Sequence, residues 1–239
     1  MSYHCHMFSK QKFDEYRDKY KRFISSAANY DESYKWTALG AYEEHWNIAA
    51  VDFATMYDAA IQQGEGEKLW SDKHDSAKSV MIEFAKMNPI IVRDMFEDLY
   101  KSSSDIVLRM DRFVHHCDQM VNELQSVRPS ANVHYHDNYR MISFYLAMKH
   151  PDEYVIYNFL EFKSLMTMLG AKTNPGLKEL DRFFKVMKTL YKFLIQDEEL
   201  VAAYKAKLES QGTSPDLNLF LAHDFCSCCT NGSYMLDRY

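Results

Sequence analysis

The residues best suited to chemistry lie in one short stretch, Val133 to Leu146, VHYHDNYRMISFYL. His134 and His136 flank Tyr135, Asp137 follows, and Tyr139 and Arg140 come next. On an extended segment the two imidazoles would point to one face and could share a metal ion. Asp137 beside them would make a His/Asp acid–base pair. The tyrosine ring and the arginine would suit stacking on a base and contact with a phosphate. A metal site needs a third ligand, and none is evident beside the pair. Nucleophilic catalysis needs a nucleophile, and none accompanies it. The reading favoured is a loop fixed onto the following helix by hydrogen bonds from the histidines and Tyr135. Tyr135, His136 and Arg140 remain candidates for contact with nucleic acid.

The other candidate chemistry is weaker. The five cysteines are Cys5, Cys117, Cys226, Cys228 and Cys229, and an odd count without a secretion signal reads as reduced thiols. HCH near the start and HDFCSCC near the end lack the paired ligand spacing of zinc sites. No metal and no cofactor is expected. Glu43–Trp46 (EEHW) lacks the second histidine of a zinc protease helix, and His115 and His116 point in different directions mid-helix. No glycine-rich phosphate loop and no G-x-S-x-G elbow occurs, which excludes a P-loop NTPase and an ordinary serine hydrolase. One helix, 176–195, carries a strong charge division. Leu177, Leu180, Phe183, Phe184, Met187, Leu190, Tyr191 and Leu194 share a face, while Lys178, Arg182, Lys185, Lys188 and Lys192 gather opposite. Such a row can track phosphates, although an ordinary solvated face has the same pattern.

These residues need elements to position them, and the periodicity supplies mostly helices. With 7 glycines and 5 prolines in 239 residues, breakers are few and elements long. Helical spacing predicts helices over 8–27, 31–46, 49–63, 77–88, 89–101, 102–127, 138–150, 159–170, 176–195 and 197–210. Ser9, Asp31 or Ser33, and a serine before Asp105 are the expected N-caps, with Pro89 at a first helical position and Gly64 and Gly170 as C-caps. EYVIYN, Glu153–Asn158, is β-branched and aromatic and suggests a strand. The expected architecture is mainly α: a single multi-helix domain over 1–210, about eight to ten helices with one short strand pair near 132–158. A tail over 211–239 would add one short helix and then be loose.

Bulk properties exclude some classes. Hydrophobic residues make up 47% and charged residues 26%, so global disorder is not expected. No apolar run approaches the ~18 residues of a membrane span, and the N-terminus has no apolar signal core, so a cytoplasmic location is expected. The net charge of −6 allows nucleic-acid binding only through a local basic face.

Several segments together resemble the N-terminal region of McrB-like proteins, the GTPase subunits of modification-dependent restriction systems. They are Tyr34–Tyr57, Met81–Tyr100 and His134–Gly170. The similar positions are Tyr34, Lys35 and Trp36; Trp46, Ile48, Asp52 and Phe53; Met81 to Ala85; Val92, Arg93, Met95 and Phe96. They continue with His134, Tyr135 and Asp137; Ile142, Ser143, Tyr145 and Leu146; and Pro151, Tyr154, Ile156 and Tyr157. The resemblance covers about residues 30 to 200 and consists of helix-packing residues, specific as a set. The AAA+ module that follows in the family is not in this sequence, which is either an excised region or a free-standing relative. The resemblance therefore implies a non-catalytic DNA-recognition module, for plain or modified DNA, of a restriction or anti-phage defence system. Its partners would be DNA and an AAA+ GTPase or nuclease subunit, with homo-oligomerisation open. The competing expectation is a helical protein–protein adaptor without DNA contact; an enzyme built on the His/Asp cluster comes third.

Overall fold

A computed structural model describes residues 7–26, 31–61, 65–70, 77–102, 105–131, 133–213, 216–231 and 236. Eleven α-helices run along the described residues: α1 (Lys10–Ser26), α2 (Tyr34–His45), α3 (Phe53–Ala60), α4 (Ala77–Met87), α5 (Pro89–Tyr100), α6 (Ile106–Val127), α7 (Arg140–Lys149), α8 (Phe159–Met168), α9 (Leu180–Leu194), α10 (Glu198–Ser210) and α11 (Phe220–Thr230). A 3-10 turn, Glu65–Leu69, lies between α3 and α4. The mainly helical expectation holds, with one helix more than the upper expected count. Among the described residues there is no strand, so the expected strand pair is absent. Tyr154, Val155, Ile156 and Tyr157 are buried without regular secondary structure, and their side chains enter a helical core, Tyr154 packing on Phe184 and Tyr157 on Phe183.

The helix ends follow local chemistry. Lys12 N–H meets Ser9 Oγ at 3.4 Å at the head of α1. Ser33 precedes α2, with its own N–H held by Asp31 Oδ1 at 2.9 Å. Asn88 caps α5 ahead of Pro89. Asp105 caps α6, accepting from Val107 N at 2.9 Å and Leu108 N at 3.2 Å. The expected serine cap there is corrected: a carboxylate just outside the helix satisfies two orphan donors and meets the positive end of the dipole. Gly170 ends α8 with φ 67°, where a side chain would be strained. Gly64 lies outside the described residues.

The helices form two compact units, Thr37–His150 and the remainder of the chain, the division falling within α2. In the first unit α3, α4, α5 and α6 pack on one another and α7 packs on α5. Its core centres on Phe96, whose ring lies 4.9 Å from Trp46, 4.9 Å from Tyr145 and 5.2 Å from Phe113. Such pairs each add ~0.5–1.5 kcal/mol beyond burial. In the second unit α1 packs on α10 and α11, and α11 also packs on α8 and α9. Phe225 of α11 meets Phe13 at 5.7 Å and Tyr20 at 5.6 Å. Residues 220–230 form one short helix, as expected for this stretch, and it is a core element: Cys226, Cys228 and Cys229 are buried there, and Cys5 lies outside the described residues.

This second unit also contains a buried ionic network. Lys35 is fully buried, bonded to Asp224 and 2.6 Å from Glu32. Tyr204 donates to the second Asp224 oxygen at 2.6 Å. Burial pushes the Asp224 carboxyl up to about 6 although Lys35 pulls it down. No helix is long and apolar enough to cross a membrane among the described residues.

Candidate functional site

The apolar face of α6 places Phe113, Cys117, Met120 and Val121 inward at three- and four-residue steps. His115 and His116, between them, face outward. Beyond α6 the chain turns back through residues 133–139 before α7. Tyr135 and Tyr139 sit at φ 60° and 63°, a left-handed backbone costing aromatic residues ~1–2 kcal/mol each. Tyr139 is fixed by its hydroxyl donating to Asp111 at 2.6 Å and its N–H donating to the His136 carbonyl at 3.1 Å. These turns carry both His134 and His136 inward, with ring centroids 5.6 Å apart.

Cys117 Sγ and one ring nitrogen from each of His134 and His136 all lie within 4.8 Å of one another, and the three residues are buried. The hydrogen bonds fix the tautomers. His134 Nε2 is 3.1 Å from Asp118 Oδ1, an acceptor only, so Nε2 carries the proton. His134 Nδ1 accordingly accepts the His136 backbone N–H at 3.1 Å. His136 Nδ1 is 2.5 Å from the His134 carbonyl, so it too is protonated and Nε2 has the lone pair, 3.1 Å from the Tyr145 hydroxyl. That hydroxyl meets Tyr57 Oη at 2.6 Å. Burial, reinforced by His134, pushes the His136 pKa down to about 3. Burial likewise pushes the Cys117 thiol well above its usual range. The cluster thus holds a protonated Cys117 thiol and an uncharged His136 ring. Its donors are of the types that bind zinc-like ions.

The expected nucleic-acid contacts divide sharply. His136 is fully buried, which corrects its expected contact with a base. The Arg140 guanidinium is engaged within the fold: it donates to the Lys68 carbonyl at 2.6 Å and the Leu69 carbonyl at 3.1 Å, holding the end of the 3-10 turn. Tyr135 stays half-buried at the rim, and Asp137 is exposed. Cys117, Asp118, Tyr57 and Tyr145 were not expected here. The signal for Cys117 was its place on the Phe113–Met120 face of α6.

In the second unit, the charged face of α9 forms as expected from residue 182 onward. Lys178 lies in the turn before the helix, and Leu177, expected on the apolar face, is 62% exposed for the same reason. Arg182 pairs with Glu179 at 2.9 Å and donates to the Thr173 carbonyl at 2.7 Å. The Arg182 hydrogen bond holds the Glu179 carboxyl below its usual range. Lys185 pairs with Asp181 at 2.6 Å, both groups more than half exposed. Lys188 lies over the Tyr154 ring at 5.4 Å, and Lys192 is exposed.

Comparison with protein-family models, with characterised proteins and with solved structures finds no match.

Proposed function

We propose that the chain is a non-catalytic DNA-recognition module whose contact is electrostatic and centred on the α9 face. The observation that carries this is the row Lys178, Arg182, Lys185, Lys188 and Lys192. Arg182 and Lys185 of this row are paired with Glu179 and Asp181, on a chain whose net charge is −6. The two ion pairs do not block such a role. Exposed pairs are worth ~0–1 kcal/mol, so a phosphate can replace either carboxylate at little cost. The resemblance to the N-terminal region of McrB-like proteins supports the setting: target recognition in a restriction or anti-phage system, beside an AAA+ GTPase or nuclease subunit. Tyr135 is retained as a rim aromatic. His136 and Arg140 are assigned to holding the fold.

The test is a shift assay with plain and base-modified duplexes at several salt concentrations. Phosphate contact through three to five of these cations predicts a slope of log K against log salt of about −3 to −4.5. No binding at low salt would refute the reading. The second reading, a protein-binding adaptor, rests on large aliphatic side chains left in solvent: Val51 at 100%, Val127 at 76% and Ile90 at 67% exposure. Light scattering that showed a salt-insensitive oligomer, with no duplex shift, would favour it.

A further inference from the structure

We propose that Cys117, His134 and His136 bind a divalent transition ion of the zinc class. This rests on the geometry of the cluster in Thr37–His150 and is independent of the DNA reading.

Three features carry it. The first is the donor set. One thiol and two imidazoles within 4.8 Å of one another are the soft and borderline ligands that select zinc over magnesium or calcium, which take oxygen. A tetrahedral ion with bonds of about 2.0–2.3 Å places its ligand atoms roughly 3.3–3.6 Å apart, so the cluster needs to contract by little more than an ångström. The second is ring orientation. Each histidine gives its outer N–H to a fixed acceptor, His134 to Asp118 and His136 to a backbone carbonyl. Metal-bound histidines are oriented in this way. The lone pairs left over are at His134 Nδ1 and His136 Nε2. The third is the neighbour. Tyr145 Oη lies 3.1 Å from His136 Nε2, about the separation of two ligands on one tetrahedral ion, and so stands beside the fourth position.

Binding exchanges two contacts, both 3.1 Å long: the His136 amide on His134 Nδ1 and the Tyr145 hydroxyl on His136 Nε2. The Cys117 S–H bond breaks, the sulfur–metal bond forms and the proton leaves to solvent. The site lies just beneath the surface, since Asp118, bonded to His134, has a side chain 62% exposed.

The experiment is a cobalt(II) titration of the reduced, chelator-treated full chain, followed by absorption spectroscopy. The expected result is one cobalt per chain, with a thiolate-to-metal charge-transfer band and intense tetrahedral visible bands, displaced by zinc. Cys117→Ser, checked for folding by circular dichroism, should lose the charge-transfer band. Asp118→Asn, at an exposed position, should weaken binding about 10- to 100-fold, and it carries the test if the cysteine variant does not fold. Cys5→Ser should leave the spectrum unchanged. Absence of any cobalt spectrum would overturn the proposal. So would a spectrum unaltered in both Cys117→Ser and Asp118→Asn, which would place the ion on other thiols.

Discussion

At the scale of single residues, both units are organised by buried polar groups that are satisfied only together. Tyr145 Oη joins Tyr57 and His136 in one chain of hydrogen bonds. Tyr145→Phe leaves two buried partners short and should lower stability by about 1–3 kcal/mol in urea unfolding. Tyr135→Phe, at the half-buried rim, should stay within about 0.5 kcal/mol. Lys35 pairs with both Glu32 and Asp224 inside the second unit. Lys35→Met leaves two buried carboxylates uncompensated and should cost about 3–5 kcal/mol, read from the same unfolding curves. Much of this was hidden in the sequence. The histidine pair was visible because its spacing is local. Its companion Cys117 comes from an earlier helix, and only the fold closes that distance. Arg140 looked like a phosphate ligand because a guanidinium after aromatic residues often is one. The two carbonyls that hold it belong to residues 68 and 69, which no local pattern connects to residue 140.

At the scale of elements, periodicity was a reliable guide wherever a helix has one buried face. The α4, α5 and α10 segments lie where the spacing of apolar residues put them, α9 begins four residues later than expected, and Pro89 and Gly170 mark an end as expected. The failures were at boundaries and in irregular stretches. Asp105, and not the serine before it, caps α6, so Asp105→Ala should destabilise by about 1 kcal/mol, checked by thermal or urea unfolding. The Tyr154–Tyr157 run has the composition of a strand because it is buried. Composition reports burial, whereas a strand also requires a neighbouring backbone with open donors and acceptors. Cys226, Cys228 and Cys229 looked like a thiol-rich tail because Cys-x-Cys-Cys is short. In α11 they are small buried apolar groups beside Phe220, Leu221 and Phe225.

At the scale of the whole molecule, the chain has a net charge of −6, and α9 carries a row of cations. The mainly helical class was legible from the scarcity of glycine and proline and from the helical spacing of the apolar residues. The basic face was legible too, although the carboxylates of Glu179 and Asp181 dilute it more than the row of cations alone suggests. DNA recognition through α9 is the central claim, and its most direct measurement is the salt slope of duplex binding for the natural chain and for Lys185→Glu/Lys192→Glu. The account predicts weaker binding of all duplexes, plain or modified, with the slope reduced in magnitude by about 2. An unchanged slope and affinity in the doubly reversed chain would contradict it.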